Sequence, residues 1–189
     1  MRAMASAAKM SSLTAMCEEF REKFDVEYVT ADEVLARVRD GGRDAAAAAA
    51  AGRARALVLV DVRGEEEREI SRLPNALSAE EYEARRDGMG AHDCVCYCTI
   101  GYRSGAFAEK LAKTARGGDV KYYNLYGSIL AWTHAGGELV DAKGEPTKRV
   151  HTFGKQWDCA GEGYESVYFK HPVAKGFGQM VRGWFGRKK

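Results

Sequence analysis

Val95-Cys96-Tyr97-Cys98-Thr99-Ile100-Gly101-Tyr102-Arg103-Ser104-Gly105 reads as an apolar strand that ends on a cysteine, turns tightly and opens a helix. The helix carries Phe107, Ala108, Leu111 and Ala112 on one side, so its positive end points back at Cys98. Thr99 to Arg103 supply a run of backbone N–H groups around the same sulfur. Cysteine pKa values fall from about 8.5 to roughly 3.5–7.5 at such sites, which predicts a Cys98 that is largely thiolate at neutral pH.

Outward from this loop, strands and helices alternate. Toward the N-terminus, Ala56-Leu57-Val58-Leu59-Val60 is a continuous apolar run ending at Asp61, the pattern of a central strand covered on both faces. Its C-terminal end is expected beside Cys98. Further upstream, Val26 to Val29 reads as a short strand. Thr30-Ala31-Asp32-Glu33 is a capping box for a helix that buries Val34, Leu35 and Val38 and stops at Gly41-Gly42. Glu65 to Glu69 is an acidic helical turn, and Ser78-Ala79-Glu80-Glu81 is a second capping box. Downstream, the helix after Ser104 ends near Gly117-Gly118 and Val120 to Leu125 is the next strand. This alternation predicts an α/β fold: a parallel sheet covered by helices on both faces, with ligands at the carboxyl ends of the strands.

Composition narrows the class. The 189 residues fit one domain of ordinary size with appendages, and 46% hydrophobic with 30% charged residues describes an ordinary globule. A net charge of +2 excludes the strong global attraction expected of a nucleic-acid-binding protein. Five cysteines, an odd number with no secretory apolar region before them, argue for free thiols and a reducing compartment, cytoplasmic or organellar. No window approaches the roughly eighteen apolar residues that span a bilayer, so an integral membrane protein is not expected.

Three motifs, in order, resemble the rhodanese family. The Cys-x-x-Gly-x-Arg-Ser loop of its single-domain members is matched by Cys98, Gly101, Arg103 and Ser104. Val60-Asp61-Val62-Arg63 with Glu66 and Glu67, followed by Ser71 to Ala76, is similar to the family's Asp-Val-Arg…Gly-His-Ile-Pro-Gly-Ala segment. Asn124 to Trp132 is similar to its Leu-x-Gly-Gly-x-x-x-Trp segment. Ser71, Arg72, Asn75 and Ser128 depart from the family pattern, and all four are read as lying away from the cysteine. The resemblance spans residues 26–141 and divides the chain. Residues 1–25 form an N-terminal arm, whose opening suits either the start of an organellar transit peptide or a frayed end, while Cys17 to Phe24, with Phe20 and Phe24 four apart, suits an amphipathic turn or two packed on the domain. Residues 26–141 form the domain, with an alanine-rich insertion at 43–55, and residues 142–189 form an aromatic and basic extension.

The resemblance implies sulfur transfer, in which Cys98 carries a sulfane sulfur as a persulfide from a donor such as thiosulfate to a thiol or cyanide acceptor. Such chemistry needs no metal or organic cofactor. Thr99, Ile100, Gly101, Tyr102, Arg103 and Ser104 are the expected substrate-binding residues. Asp61 is expected to order the loop from below, and Arg63 to pair with the acidic turn, to face the anionic substrate or to form a purely structural ion pair. Cys98 and Arg103 have four residues between them, one fewer than in the related phosphatases and arsenate reductases. This smaller ring leaves room for one extra sulfur atom and not for a whole tetrahedral oxyanion. Arg103 is the loop's single cation, which also leaves room for a small-molecule or protein persulfide as donor. The alternative is a non-enzymatic module that binds or regulates a partner through its surface or the redox state of Cys98.

Other candidates read as structural. Cys94 and Cys96 share a face with Cys98 but behave as small buried hydrophobes in mid-strand, and Cys-x-Cys-x-Cys along a strand lacks the knuckle spacing that wraps zinc. Of His92, His134, His151 and His171, none adjoins Cys98 in sequence, and His134 falls at a helix C-terminus. The tail from Lys148 to Phe169 is aromatic and expected to pack back on the domain, in a pattern similar to rhodanese-like proteins of photosynthetic organisms, which suits a plastid address. Val173 to Lys189 is basic and apolar at helical spacing, which suits peripheral contact with an anionic membrane or a protein partner.

Overall fold

A computed structural model describes the backbone of residues 2–50, 55–115, 118–152, 154 and 157–169, and their side chains except at 2–6 and 41–50. Residues 173–189, for which a membrane or protein contact is expected, lie outside the described residues. The elements in chain order begin with α1 (Arg2–Arg21), β1 (Glu27–Val29), α2 (Ala31–Ala50), β2 (Ala56–Asp61) and α3 (Glu65–Ile70). Then come β3 (Leu77–Ser78), α4 (Ala79–Arg85), β4 (His92–Tyr97), α5 (Tyr102–Thr114), β5 (Val120–Leu125) and α6 (Ser128–His134). Four short strands follow: β6 (Leu139–Val140), β7 (Pro146–Thr147), β8 (Arg149–His151) and β9 (Glu165–Val167).

The main sheet is parallel throughout, in the order β1-β5-β4-β2-β3. β4 occupies the centre, and all six of its residues are buried. Alternation along β2 and β4 sorts side chains to two cores. Leu59, Val95 and Tyr97 face Leu13, Cys17 and Phe20 of α1, Val34 and Leu35 of α2, and Ile129, Leu130 and Trp132 of α6. Val60, Cys94, Cys96 and Tyr122 face Tyr82 of α4 and Ala108 and Leu111 of α5. Helices therefore cover both faces, as a parallel sheet requires. Asp61 is in register with Tyr97, and the Val62 N–H donates to the Tyr97 carbonyl at 3.0 Å, so β2 ends beside the cysteine loop.

Both capping boxes form. The Thr30 N–H donates to Glu33 at 2.8 Å and the Glu33 N–H to Thr30 at 3.3 Å. Ser78 and Glu81 exchange the same pair at 2.8 and 3.1 Å. α2 does not stop at Gly41-Gly42 but continues into the alanine run as far as Ala50. Alanine has the highest helix propensity, which offsets two glycines at about 1 kcal/mol each.

The described parts of the segments outside residues 26–141 pack on the domain. In place of a frayed arm the N-terminus forms α1, whose Leu13, Cys17 and Phe20 are at most 2% exposed. Burying a Leu or Phe side chain contributes about 1.5–3 kcal/mol, which ties α1 to the sheet. The extension returns as expected: β6 and β7 form an antiparallel pair, β8 and β9 a parallel one, and Val150, Cys159 and Ala160 join the first core. α1 and the extension also meet, at the Lys9–Asp158 ion pair of 3.2 Å. No described helix is long and apolar enough to cross a membrane.

Candidate active site

β4 delivers Cys98 to the rim of the sheet, and the chain reverses there through Gly101, whose φ of +106° is open to glycine at little cost. α5 then starts at Tyr102. The carbonyls of the turn are all tied down on its outer side. Cys98 O and Thr99 O accept from the α6 N–H groups of Ile129 and Leu130 at 3.2 and 3.3 Å. Ile100 O accepts from the Cys17 thiol at 3.4 Å, and Gly101 O from the Asn124 amide at 2.8 Å. With its carbonyls held outward, the turn presents N–H groups to its interior, where the sulfur lies. Gly101 N–H donates to Cys98 Sγ at 3.2 Å, and the Ser104 hydroxyl lies 3.5 Å from it. Close packing fixes the start of α5: a Cβ on Gly105 would lie 2.5 Å from the Phe24 ring.

Burial pushes the Cys98 thiol up. The Arg103 charge, the Ser104 hydroxyl and N–H, and the Gly101 N–H together bring it below an ordinary cysteine. Burial has the opposite outcome at Cys17 and Cys96. Cys17 is pushed up to about 12, by desolvation first and by the charge of Cys98 second. Cys96 is raised by its contact with Cys94, whose sulfur is 3.7 Å away, and by burial. All five cysteines are free.

Arg103 turns both terminal nitrogens to the Glu67 carboxylate, at 2.7 and 2.8 Å, and Nη2 also reaches Thr99 Oγ1 at 3.3 Å. Glu67 is 4% exposed and receives in addition the Gly64 N–H at 3.1 Å and His151 Nδ1 at 3.2 Å. Burial raises this carboxyl, but the hydrogen bonds from Arg103 and His151 and the charges of Arg103 and Arg63 win, holding it far below the usual carboxylate range. His151 comes from β8, in the C-terminal extension, and its ring stacks on Phe169 at 4.2 Å.

The sequence-predicted site residues divide. Cys98, Gly101, Arg103 and Ser104 converge on the sulfur or its pair. Thr99 is 1% exposed and bound to Glu67 and Arg103, so its side chain faces their pair and not an open pocket. Ile100 packs in the core, and Tyr102 is held edge-on by Phe20 and Phe24 at 5.4 and 5.2 Å. The side chains of these two are engaged by α1 and its flank.

Arg63 forms a structural ion pair, one of the roles expected of it, but its partner is Asp61 and not the acidic turn, so Asp61 is engaged there instead of ordering the loop. Two bonds of 2.9 and 2.7 Å join the side chains, and Arg63 also donates to Ser71 O at 2.6 Å. Both side chains are 0% exposed.

Three participants were not singled out from sequence. Glu67 carried a visible signal as an acid in the turn after Arg63, but nothing local names Arg103 as its partner. His151 carried none. Ser128 was read as a departure remote from the cysteine, and the fold corrects this: its hydroxyl accepts from the Cys98 N–H at 3.1 Å and lies 4.0 Å from the sulfur. The approach follows from β5 and β4 being neighbours, which puts the start of α6 against the loop. His92 and His134 are structural, bonded to Tyr82 and Gly90 and to Cys159 O respectively.

A family model for the rhodanese-like domain matches residues 30–135, more than half of the chain. The chain belongs to this family. Among solved structures, a rhodanese-like fold is matched in a thiosulfate sulfurtransferase from Pseudomonas aeruginosa, with a TM-score of 0.50 and 19% identity. The match covers 71% of this chain and 23% of that one, so the chain spans about a quarter of that protein. A protein of Rhodopseudomonas palustris described as a possible tyrosine phosphatase matches with 23% identity and a TM-score of 0.44, over 66% of this chain and 91% of that one. A rhodanese-like domain from Anabaena matches with 17% identity and a TM-score of 0.44, over 60% and 78%. No curated protein matches the sequence.

Proposed function

We propose that this rhodanese-like chain is a sulfurtransferase that moves a sulfane sulfur from a donor such as thiosulfate to a thiol or cyanide acceptor. Cys98 thiolate attacks the outer sulfur of thiosulfate, the donor S–S bond breaks, and sulfite leaves with the bonding pair. A new S–S bond on Cys98 holds the sulfur as a persulfide, which the acceptor then removes to regenerate the thiolate. The observation that carries this reading is the seat of Cys98 Sγ, which lies on the Gly101 N–H inside a turn whose carbonyls are bound elsewhere. Fixed donors of this kind stabilise the thiolate and the persulfide anion without reorganisation. The resemblance adds the ring size, with four residues between Cys98 and Arg103, which suits a single added sulfur better than a phosphate.

Intact-protein mass spectrometry after exposure to thiosulfate and to a hydropersulfide tests it. The expected result is a gain of one sulfur, absent in Cys98→Ser, which also loses all turnover while keeping its unfolding temperature within a few degrees. Turnover by Cys98→Ser, or hydrolysis of phosphate esters by the unmodified protein, would overturn the assignment. A second reading, a non-enzymatic binding or redox-regulatory module, draws support from the burial of Cys98, 2% exposed beneath a turn on which α1 is packed. Failure of every sulfur donor to load Cys98 would favour that module.

A further inference from the structure

The charge of the site bears on the donor. Among the described residues, the groups hydrogen-bonded to the loop carry one cation, Arg103, and its two terminal nitrogens both reach Glu67, at 2.7 and 2.8 Å. Asp61 and Arg63, the next ion pair, cancel each other at 2.7 Å with both side chains fully buried. Among the described residues, Arg103 (+1), Glu67 (−1) and the Cys98 thiolate (−1) therefore leave a net negative charge around the sulfur whenever His151 is uncharged.

Glu67 is not a swinging surface acid. It is 4% exposed and is fixed from three further directions, by Gly64 N–H at 3.1 Å, Thr99 at 3.4 Å and His151 at 3.2 Å. The last of these comes from residue 151, beyond the 30–135 span of the family domain. The extension thus helps hold the carboxylate against the loop cation.

Resting on the sulfurtransferase reading, we propose that Glu67 is a specificity-determining residue that sets the site for a donor of low charge, a small alkyl hydropersulfide, against the thiosulfate dianion. With R–S–SH the Cys98 thiolate attacks the sulfur that bears hydrogen and the R–S bond to it breaks. R–S⁻ leaves and takes up the proton, giving R–SH and the Cys98 persulfide anion. Charge, sulfur and oxidation level balance with no further reactant. A donor with at most one negative charge meets little repulsion in this approach. Thiosulfate brings two charges to a site that already carries one, through a medium of lower dielectric than water.

Single-turnover loading of Cys98, followed by intact-protein mass spectrometry at pH 8 with thiosulfate and with the hydropersulfide of 2-mercaptoethanol, reads the selectivity. Raising ionic strength from about 0.02 to 0.5 M shortens the Debye length to a few ångströms. It should speed thiosulfate loading about threefold while altering hydropersulfide loading less. Glu67→Gln keeps the shape and removes the negative charge, and should raise the thiosulfate-to-hydropersulfide rate ratio about tenfold. Thiosulfate loading that slows with salt, the response of a net positive site, would overturn the proposal. So would a rate ratio in a folded Glu67→Gln that stays within twofold of the unmodified protein. If that variant does not fold, the sign of the salt effect decides alone. If neither donor loads Cys98, the sulfurtransferase reading falls and takes this one with it, a result distinct from two working donors with the wrong selectivity.

Discussion

Two arginine–carboxylate pairs flank the C-terminal ends of β2 and β4, and they differ in how the chain makes them. Arg63 reaches back two residues to Asp61, both side chains are 0% exposed, and its remaining bond goes to Ser71 O at 2.6 Å. Arg103 reaches 36 residues in sequence to Glu67, and its side chain keeps 22% of its surface open. The first pair is sealed into the sheet end and anchors the Ser71–Leu73 segment, whose Leu73 N–H donates to Tyr97 OH at 3.0 Å. The second sits where the cysteine turn meets α3 and β8, close enough for Arg103 to lower the Cys98 thiol. Similar chemistry thus serves packing in one place and the reactive sulfur in the other. Exposure and chain separation tell the two apart.

Substituting each arginine should break this contrast most sharply. Arg63→Ala leaves Asp61 charged and unpaired in a dry site, which costs about 3–5 kcal/mol. Urea unfolding should show that loss, and a loss under about 1 kcal/mol would mean that water already reaches the pair. Arg103→Ala should cost less than half as much, because Glu67 keeps Gly64 and His151 as partners. Its main effect falls on Cys98: the midpoint for alkylation by a neutral reagent should rise, since an opposite charge nearby favours the thiolate. Reaction at pH 7 should slow several-fold. An unmoved midpoint would assign thiolate activation to Ser104 and the Gly101 N–H alone.

Acid sharpens the same contrast by a smaller amount. The folded state holds the Glu67 carboxyl below its unfolded value of about 4.3. The stability this contributes is therefore fully present above that value and is lost as pH falls from there toward the folded one. The stability gap between the unmodified protein and Glu67→Gln, measured by urea unfolding, should be largest at neutral pH and shrink steadily below about pH 4. A gap of constant size down to pH 3 would mean that Glu67 is held by packing and not by its ion pair.

The elements that carry the two pairs are more legible in the sequence than the pairs themselves. β2, β4, β5 and both capping boxes are legible because their signals are local: an apolar run, a Ser or Thr three residues before a Glu, a strand ending on a cysteine ahead of a glycine. The loop around Cys98 belongs to this class. The partner of Arg103 depends on the β2–β4 register and on where α3 comes to rest, and His151 depends on the return of the extension. Neither has a period or spacing to read. Only the C-terminal end of α1 was legible, from Phe20 and Phe24 four apart; the rest was hidden for a different reason. Before Cys17 its buried residue, Leu13, is set among alanines, serines and methionines, so this part resembles a polar arm until α6 and the sheet core are there to receive it.

The smallest expected effect concerns Ser128, where backbone and side chain pull in opposite directions. Its φ of +51° follows Gly127 at +67°, a conformation that costs an L-residue roughly 1–2 kcal/mol and a glycine almost nothing. Its hydroxyl meets the buried Cys98 N–H at 3.1 Å, and leaving such a group unpaired costs about 1–3 kcal/mol. Ser128→Gly relieves the first and loses the second, so its net change in stability should stay near 1 kcal/mol or below. Ser128→Ala keeps the strained backbone and still loses the bond, and should be the less stable of the two. Loading of Cys98 should slow a few-fold in both, because the amide that seats the nucleophile has lost its partner. A glycine variant less stable than the alanine variant would mean that the surrounding turn, and not the hydroxyl, pays for the left-handed backbone beside the reactive sulfur.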